Sequence, residues 1–217
     1  MKFTRIITVL ALVVMVFASV GNVTAHAAVI APPEFADDMR VIDEPAQPEI
    51  VKFTFDEEPL YDQRDFPHIP YSQGSIATSG CGITCMAMVA SYILDEPISP
   101  ATLGLEYNKT ASDNVTRMLN AATGLGIEYE KVGNYHEMVK ALEEGKVAIA
   151  LMTADSIFTN YGHFIVITGI NEDGTFMVND PWGGNYDSYP NEFANGFASW
   201  QILKGYSGAW VFDKNAE

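Results

Sequence analysis

The sequence predicts an α+β fold, in which helices come first along the chain and an antiparallel sheet follows. Residues 81–94 form an apolar run of helical length, rich in Ala, Met and Val. Two later runs, residues 147–152 and 164–170, are continuous, apolar and of strand length. The second is followed by Asn-Glu-Asp-Gly at 171–174, and Asp-Gly is a dipeptide that favours a tight hairpin turn.

Four helices are predicted before the first buried strand. The helix over 81–94 follows Thr78 and Ser79, which suit an N-cap, and we expect it to end near Asp95 because Pro97 disfavours helical backbone at the preceding residue. The other three begin after Ser99, Asp113 and Asn134, and they cover residues 100–107, 114–122 and 135–144.

The other strands are predicted from shorter patterns. Residues 127–131 alternate between apolar and polar side chains. Residues 175–179 form the return strand of the hairpin, and residues 209–212 form the last strand. Residues 61–79 contain prolines and glycine and few periodic apolar positions, which predicts irregular structure.

Residues 1–27 have the pattern of a secretory signal peptide. Lys2 and Arg5 precede an apolar run over residues 6–20, and Ala25-His26-Ala27 forms a small-x-small cleavage site. The alternative is a membrane anchor, but the run is short for a span and the cleavage site follows closely. We therefore expect cleavage after Ala27, a secreted protein, and no stable membrane insertion afterwards.

Residues 28–60 are rich in proline and acidic residues, which indicates a flexible linker. The alternative is a short inhibitory pro-segment. Within it, residues 50–55 could form one edge strand. A single globular domain is then predicted over residues 61–217, which is an ordinary length for one domain with a real core.

The chain is strongly acidic. Its formal net charge is −16, and the loss of Lys2 and Arg5 with the signal peptide would change it to −18. Such a protein is not attracted to nucleic acid or to anionic membranes. It would attract a basic peptide, although a solvated acidic surface needs no partner. We expect a monomer that binds no nucleic acid.

Two cysteines follow the predicted signal peptide, Cys81 and Cys85. They lie at i and i+4 of one predicted helix, where a disulfide would be strained. Cys81 is at the first turn, where backbone N–H groups and the helix dipole favour a thiolate, so it is a candidate nucleophile. Cys85 fits a small core residue. No zinc-binding pattern occurs, and the oxygen-rich residues 180–192 lack the spacing of a calcium loop, so we expect no metal and no cofactor.

A cysteine nucleophile needs a base, and the base needs an orienting group. Three histidines follow the predicted signal peptide, His68, His136 and His163, and the last directly precedes the strand over 164–170. Asp180 follows the return strand, and antiparallel pairing brings it near His163 at the same end of the hairpin. The alternative for His163 is a histidine that only packs in the core, and the alternative for Asp180 is an aspartate that only forms a turn. Together they form a candidate base and orienter.

These residues occur in segments that resemble the C39-like cysteine peptidases. The matching segments, in chain order, are Tyr61-Asp62-Gln63, Gly80-Cys81-Gly82-Ile83-Thr84, Gly162-His163-Phe164-Ile165-Val166 and Asn179-Asp180-Pro181. The resemblance covers the chain from about residue 61 onward and implies a papain-like fold, with the nucleophile at a helix N-terminus packed on an antiparallel sheet. It implies Cys81 as nucleophile, His163 as general base and Asp180 as orienter. It also implies a glutamine in the oxyanion hole, for which Gln63 is preferred and Gln73 is the fallback.

The resemblance implies an exported cysteine peptidase that hydrolyses peptide bonds of a peptide or protein substrate through a thioester acyl-enzyme. The best-known members are fused to transporters and cleave leader peptides after a Gly-Gly pair. This chain carries no transporter, so that substrate is not carried over. Two alternatives stay open. One is an amidase, transpeptidase or other transferase that uses the same residues, and the other is a peptide-binding module of the same fold without turnover.

Overall fold

The computed structural model describes residues 59–215. The predicted signal peptide, residues 28–58 of the predicted linker and the strand predicted at 50–55 lie outside the described residues. The division of the chain into residues 1–27, 28–60 and 61–217 therefore stays a prediction. Within the described part, helices precede a mainly antiparallel sheet, as the α+β prediction states.

Helix α2, Cys81–Leu94, carries the first predicted segment with the predicted bounds. Every residue from 82 to 91 is buried, because the run is apolar or small on all sides of the helix. Its start differs from the prediction. Thr78 and Ser79 do not cap it but belong to a short helix α1, Ile76–Ser79, and Gly80 is the residue that joins the two helices.

Three longer helices begin where the cap residues predict. Ser99, Asp113 and Asn134 each accept a backbone N–H of the first turn. The bounds are α3 (Pro100–Tyr107), α4 (Asn114–Gly124) and α5 (Tyr135–Glu143). A 3₁₀ helix at Gln63–Asp65 and a hairpin of β1 (Pro70–Tyr71) and β2 (Gly74–Ser75) occupy the segment predicted to be irregular.

The main sheet has five antiparallel strands in the order β3-β7-β4-β5-β6. Their bounds are β3 (Glu130–Val132), β4 (Val147–Met152), β5 (His163–Ile170), β6 (Phe176–Asn179) and β7 (Tyr206–Phe212). The predicted turn joins β5 to β6, with Gly174 at a φ of 82°. The strand predicted at 127–131 is wrong in its bounds, because Ile127 packs into the helical core and pairing begins only at Glu130.

The sheet is buried on both faces, which explains why its central strands are continuous apolar runs rather than alternating ones. Ile149, Phe164 and Val166 pack with α2 and its neighbours. Ala148, Ile165 and the other strand residues on the opposite face of the sheet pack with α5. The start of α2 therefore lies against the first residues of β5.

Three short helices lie between β6 and β7, a segment for which the sequence analysis predicts neither a helix nor a strand. They are α6 (Gly184–Ser188), α7 (Pro190–Asn195) and α8 (Ser199–Leu203). None of the helices within residues 59–215 is both long enough and apolar enough to cross a membrane.

Candidate active site

Cys81 is the first residue of α2 and is partly exposed, whereas Cys85, one turn further on, is fully buried. Both thiols are free. The first residues of an α-helix have backbone N–H groups without a partner inside the helix, so the Cys81 thiol lies where a negative charge is stabilised. Gly82 allows this helix start to approach the sheet, since a Cβ there would lie 3.2 Å from the Phe164 ring.

His163 is the first residue of β5, one position earlier than the strand was predicted to start. It is opposite Met152 of β4, and only 7% of its surface is exposed. Its Nε2 atom lies 2.7 Å from Oδ1 of Asp180. This contact leaves the other ring nitrogen, Nδ1, available to Cys81, which lines the same cleft. His68 and His136 are exposed and do not contribute to this site.

Asp180 follows β6, whose last residue, Asn179, pairs with Val166 of β5. Its side chain is fully buried, and an ionised carboxylate in such a place needs hydrogen-bond donors. Besides the contact with His163, Oδ1 accepts from the backbone N–H of Trp182 at 2.8 Å. The carboxylate is thus fixed toward the imidazole by the chain that follows it.

The charge state of His163 follows from these contacts. Burial by itself would lower the pKa of the imidazole. Hydrogen bonds to Asp180 and to Cys81, together with the negative charge of these groups, outweigh burial and raise the pKa of His163 to about 10. His163 is therefore an imidazolium at neutral pH and loses its proton only as the pH approaches 10.

Gln63 and Gln73 differ in position. Gln63 is 4% exposed and lines the same cleft as Cys81 and His163, whereas Gln73 is exposed at the β1–β2 turn. The Gln63 amide donates to the carbonyl of Ala77 at 2.9 Å and more weakly to that of Ile76 at 3.4 Å, and its Oε1 is buried without a partner within residues 59–215. Its backbone N–H donates to Pro181 at 2.8 Å, next to Asp180.

The cleft in front of Cys81 has a volume of about 790 Å³. Residues 156–162, just before His163, line it together with Trp182, Asn185 and Lys204. Neither an aspartate nor a glutamate is among the residues that line it, although the sequence as a whole is acidic. Residues 59–215 also contain no cluster of three His, Cys, Asp or Glu side chains that could hold a metal ion.

Asn185 and Trp182 are cleft residues that the sequence did not single out. Asn185 donates to Oδ2 of Asp180 at 2.6 Å, and the backbone N–H of Trp182 donates to Oδ1. Neither belongs to a periodic pattern. The signal available was the adjacent pair Gly183 and Gly184, which predicts close backbone packing. A Cβ on Gly183 would overlap the carboxylate of Asp62.

A thiol at a helix N-terminus beside a buried histidine–carboxylate pair is an arrangement that nucleophilic cysteine enzymes use. A family model described as the Peptidase_C39 like family matches residues 55–208 of the chain, and the chain belongs to this family. The family assignment and the papain-like α+β fold predicted from the sequence are thereby confirmed.

Two solved structures are similar to the chain, both at low sequence identity. One is a protein from Bacillus anthracis described as a C39-like peptidase, with 14% identity, a TM-score of 0.46 and coverage of 74% of this chain and 96% of that one. The other is a double glycine motif protease from an AMS/PCAT transporter in complex with the leader peptide, with 19% identity, a TM-score of 0.42 and coverage of 70% and 92%. No curated protein matches the sequence.

Proposed function

We propose that this protein is an exported cysteine peptidase that hydrolyses peptide bonds with Cys81 as the nucleophile. Membership of a peptidase family supports hydrolysis. The observation that carries the proposal is the arrangement of His163. The imidazole is bonded through Nε2 to the buried Asp180 at 2.7 Å, and it lines the same cleft as Cys81, whose proximity contributes to the raised pKa of His163.

In the proposed reaction the Cys81 thiolate attacks the carbonyl carbon of the scissile peptide bond. His163 gives its proton to the leaving amine, and a thioester remains on Cys81. His163 is then neutral and takes a proton from a water molecule that attacks the thioester. The products are an acid and an amine, and the thiolate–imidazolium pair is restored. Asp180 keeps the imidazole oriented and stabilises its charge throughout.

The oxyanion of each tetrahedral intermediate would be bound by the backbone N–H of Cys81 and by the amide of Gln63. The first donor follows from the helix start, since residue 81 has no carbonyl partner within its own helix. Gln63 lies in the cleft, but its amide is held by the carbonyls of α1. We propose that one of its two N–H groups turns to the oxyanion when substrate is bound.

Export is proposed from the sequence of residues 1–27. It is tested by expressing the full chain in a host with a Sec pathway and determining the N-terminal residue of the secreted protein. A start at Ala28 supports cleavage after Ala27. Recovery of the chain with its intact leader in the membrane fraction would instead show that residues 1–27 are a membrane anchor.

The activity is tested by digestion of a proteome-derived peptide library with the wild type and with C81A, followed by mass spectrometry of the new ends. Free carboxyl and amino ends that appear only with the wild type support a peptidase. New amide or isopeptide products would instead make the protein a transferase. If Cys81 reacts with iodoacetamide no faster than a thiol peptide and the library stays intact, the protein is a binding module.

A further inference from the structure

The buried carboxylate of Asp180 has two oxygen atoms with different partners. Oδ1 accepts from His163 and from the backbone N–H of Trp182. Oδ2 accepts from the side-chain amide of Asn185, with an Nδ2–Oδ2 distance of 2.6 Å. A fully buried carboxylate oxygen without a hydrogen-bond donor lowers the stability of the fold. The hydrogen bond from Asn185 therefore helps to fix the position of the Asp180 side chain.

The same amide nitrogen makes a second contact. Nδ2 of Asn185 donates to the backbone carbonyl of Phe158 at 2.8 Å. Phe158 belongs to the segment that lines the cleft immediately before His163. A carboxamide nitrogen carries two protons, and both are used here. Asn185 is itself fixed by its backbone, which donates to Trp182 and accepts from Tyr189.

We propose that Asn185 is a positioning residue, which ties the Asp180 carboxylate to the cleft segment at Phe158 and so keeps Asp180 aimed at His163. This inference rests on the proposed function, in which Asp180 orients the base. Aspartate at position 185 would set a carboxylate against a carboxylate and a carbonyl. Alanine would leave two acceptors without their donor.

The expected consequence of N185A is that Asp180 stabilises the His163 imidazolium less. A hydrogen bond to a charged group contributes about 1.5–3 kcal/mol, which is roughly 10- to 150-fold in an equilibrium. Asn185 acts on His163 only through Asp180, so we expect the lower part of that range. In N185A the titration of His163 should move to lower pH by about one pH unit, and kcat should fall about 10-fold or more with KM changed much less.

The experiment compares the wild type, N185A and the isosteric N185D in three measurements. The first is the titration of the His163 ring by NMR, and the second is the rate of Cys81 alkylation by iodoacetamide at neutral pH. Neither needs a substrate, so both remain valid if the protein proves not to be a peptidase. The third is peptide hydrolysis. N195A is the matched control, because Asn195 is exposed and lies outside the cleft, and because its side-chain amide bonds, within residues 59–215, only to the carbonyl of Asn191.

A double-mutant cycle with D180N separates positioning from general stability. If Asn185 acts through Asp180, N185A should add little to the defect of D180N in the His163 titration. A titration and an alkylation rate equal to those of the wild type in N185A would overturn the proposal. Effects that add fully in the double mutant, or loss of the folded state in both Asn185 variants, would also overturn it and assign Asn185 to stability alone.

Discussion

Replacement of Asp180 by asparagine tests whether the charge of this side chain stabilises the protonated form of His163. The variant keeps the size of the side chain and removes the charge that stabilises the His163 imidazolium. The pKa of His163 is raised to about 10 against the effect of burial, so the imidazolium persists until the pH approaches 10. With a neutral amide in place of the carboxylate, less opposes the effect of burial, although Cys81 still raises the pKa of His163, so this pKa should fall part of the way toward its ordinary value.

The size of the fall follows from the strength of one charged hydrogen bond. A bond of this kind contributes about 1.5–3 kcal/mol, and one pH unit corresponds to about 1.4 kcal/mol. In D180N we therefore expect the His163 titration to move to lower pH by about one to two pH units. The alkaline limb of kcat/KM, where the leaving amine loses its proton donor, should move in the same direction.

The measurement is an NMR titration of His163 in the wild type and in D180N, together with kcat/KM across the alkaline range. His68 and His136 are exposed and serve as internal references in the same spectra. Coincident titrations of His163 in the two proteins would refute the reasoning, because they would mean that the Asp180 charge does not stabilise the imidazolium.

Three further variants test the surroundings of the triad. Q63A should lower kcat/KM by about 100-fold or more while the alkylation rate of the nucleophile changes little, whereas Q73A, at an exposed turn, should leave both unchanged. G183A should lower the free energy of unfolding, measured by chemical denaturation, by about 1–3 kcal/mol, because the new Cβ overlaps the carboxylate of Asp62. G133A is the control, since there is open space around its Cβ, and it should change this free energy by less than about 0.5 kcal/mol. K204E should reduce kcat/KM for peptides with acidic side chains by up to about 5-fold relative to neutral peptides, because Lys204 lines a cleft without carboxylates, and equal effects on both peptide sets would contradict this.

The sequence predicted the parts of the site that depend on local patterns. Residues 81–94 form a continuous apolar run that is too long for an ordinary strand, which indicates a buried helix and puts Cys81 at its start. The strand at 164–170, the Asp-Gly turn and the return strand form a hairpin. His163 precedes the first of these strands and Asp180 follows the second, so both lie at the same end of the hairpin. His163 and Asp180 therefore approach each other for reasons that are local in the chain.

The parts that the sequence did not predict depend on contacts between distant segments. Asn185 carries no local signal, since its two partners, Asp180 and the carbonyl of Phe158, meet only after the sheet has formed. The choice between Gln63 and Gln73 was open for the same reason. The fold buries Gln63 at the cleft and leaves Gln73 exposed.

The segment after β6 links Asp180, the proposed orienter, to Gln63, the proposed oxyanion donor. Asp180 binds the imidazole, and its neighbour Pro181 accepts the backbone N–H of Gln63 at 2.8 Å. Two residues later, Gly183 packs closely on the Asp62 side chain, whose carboxylate would have to shift to make room for a Cβ at position 183. A displacement of this segment should therefore change the base and the oxyanion donor together. For G183A we expect both a lower His163 titration and a lower kcat, whereas a change in only one of them would show that the two groups are held independently.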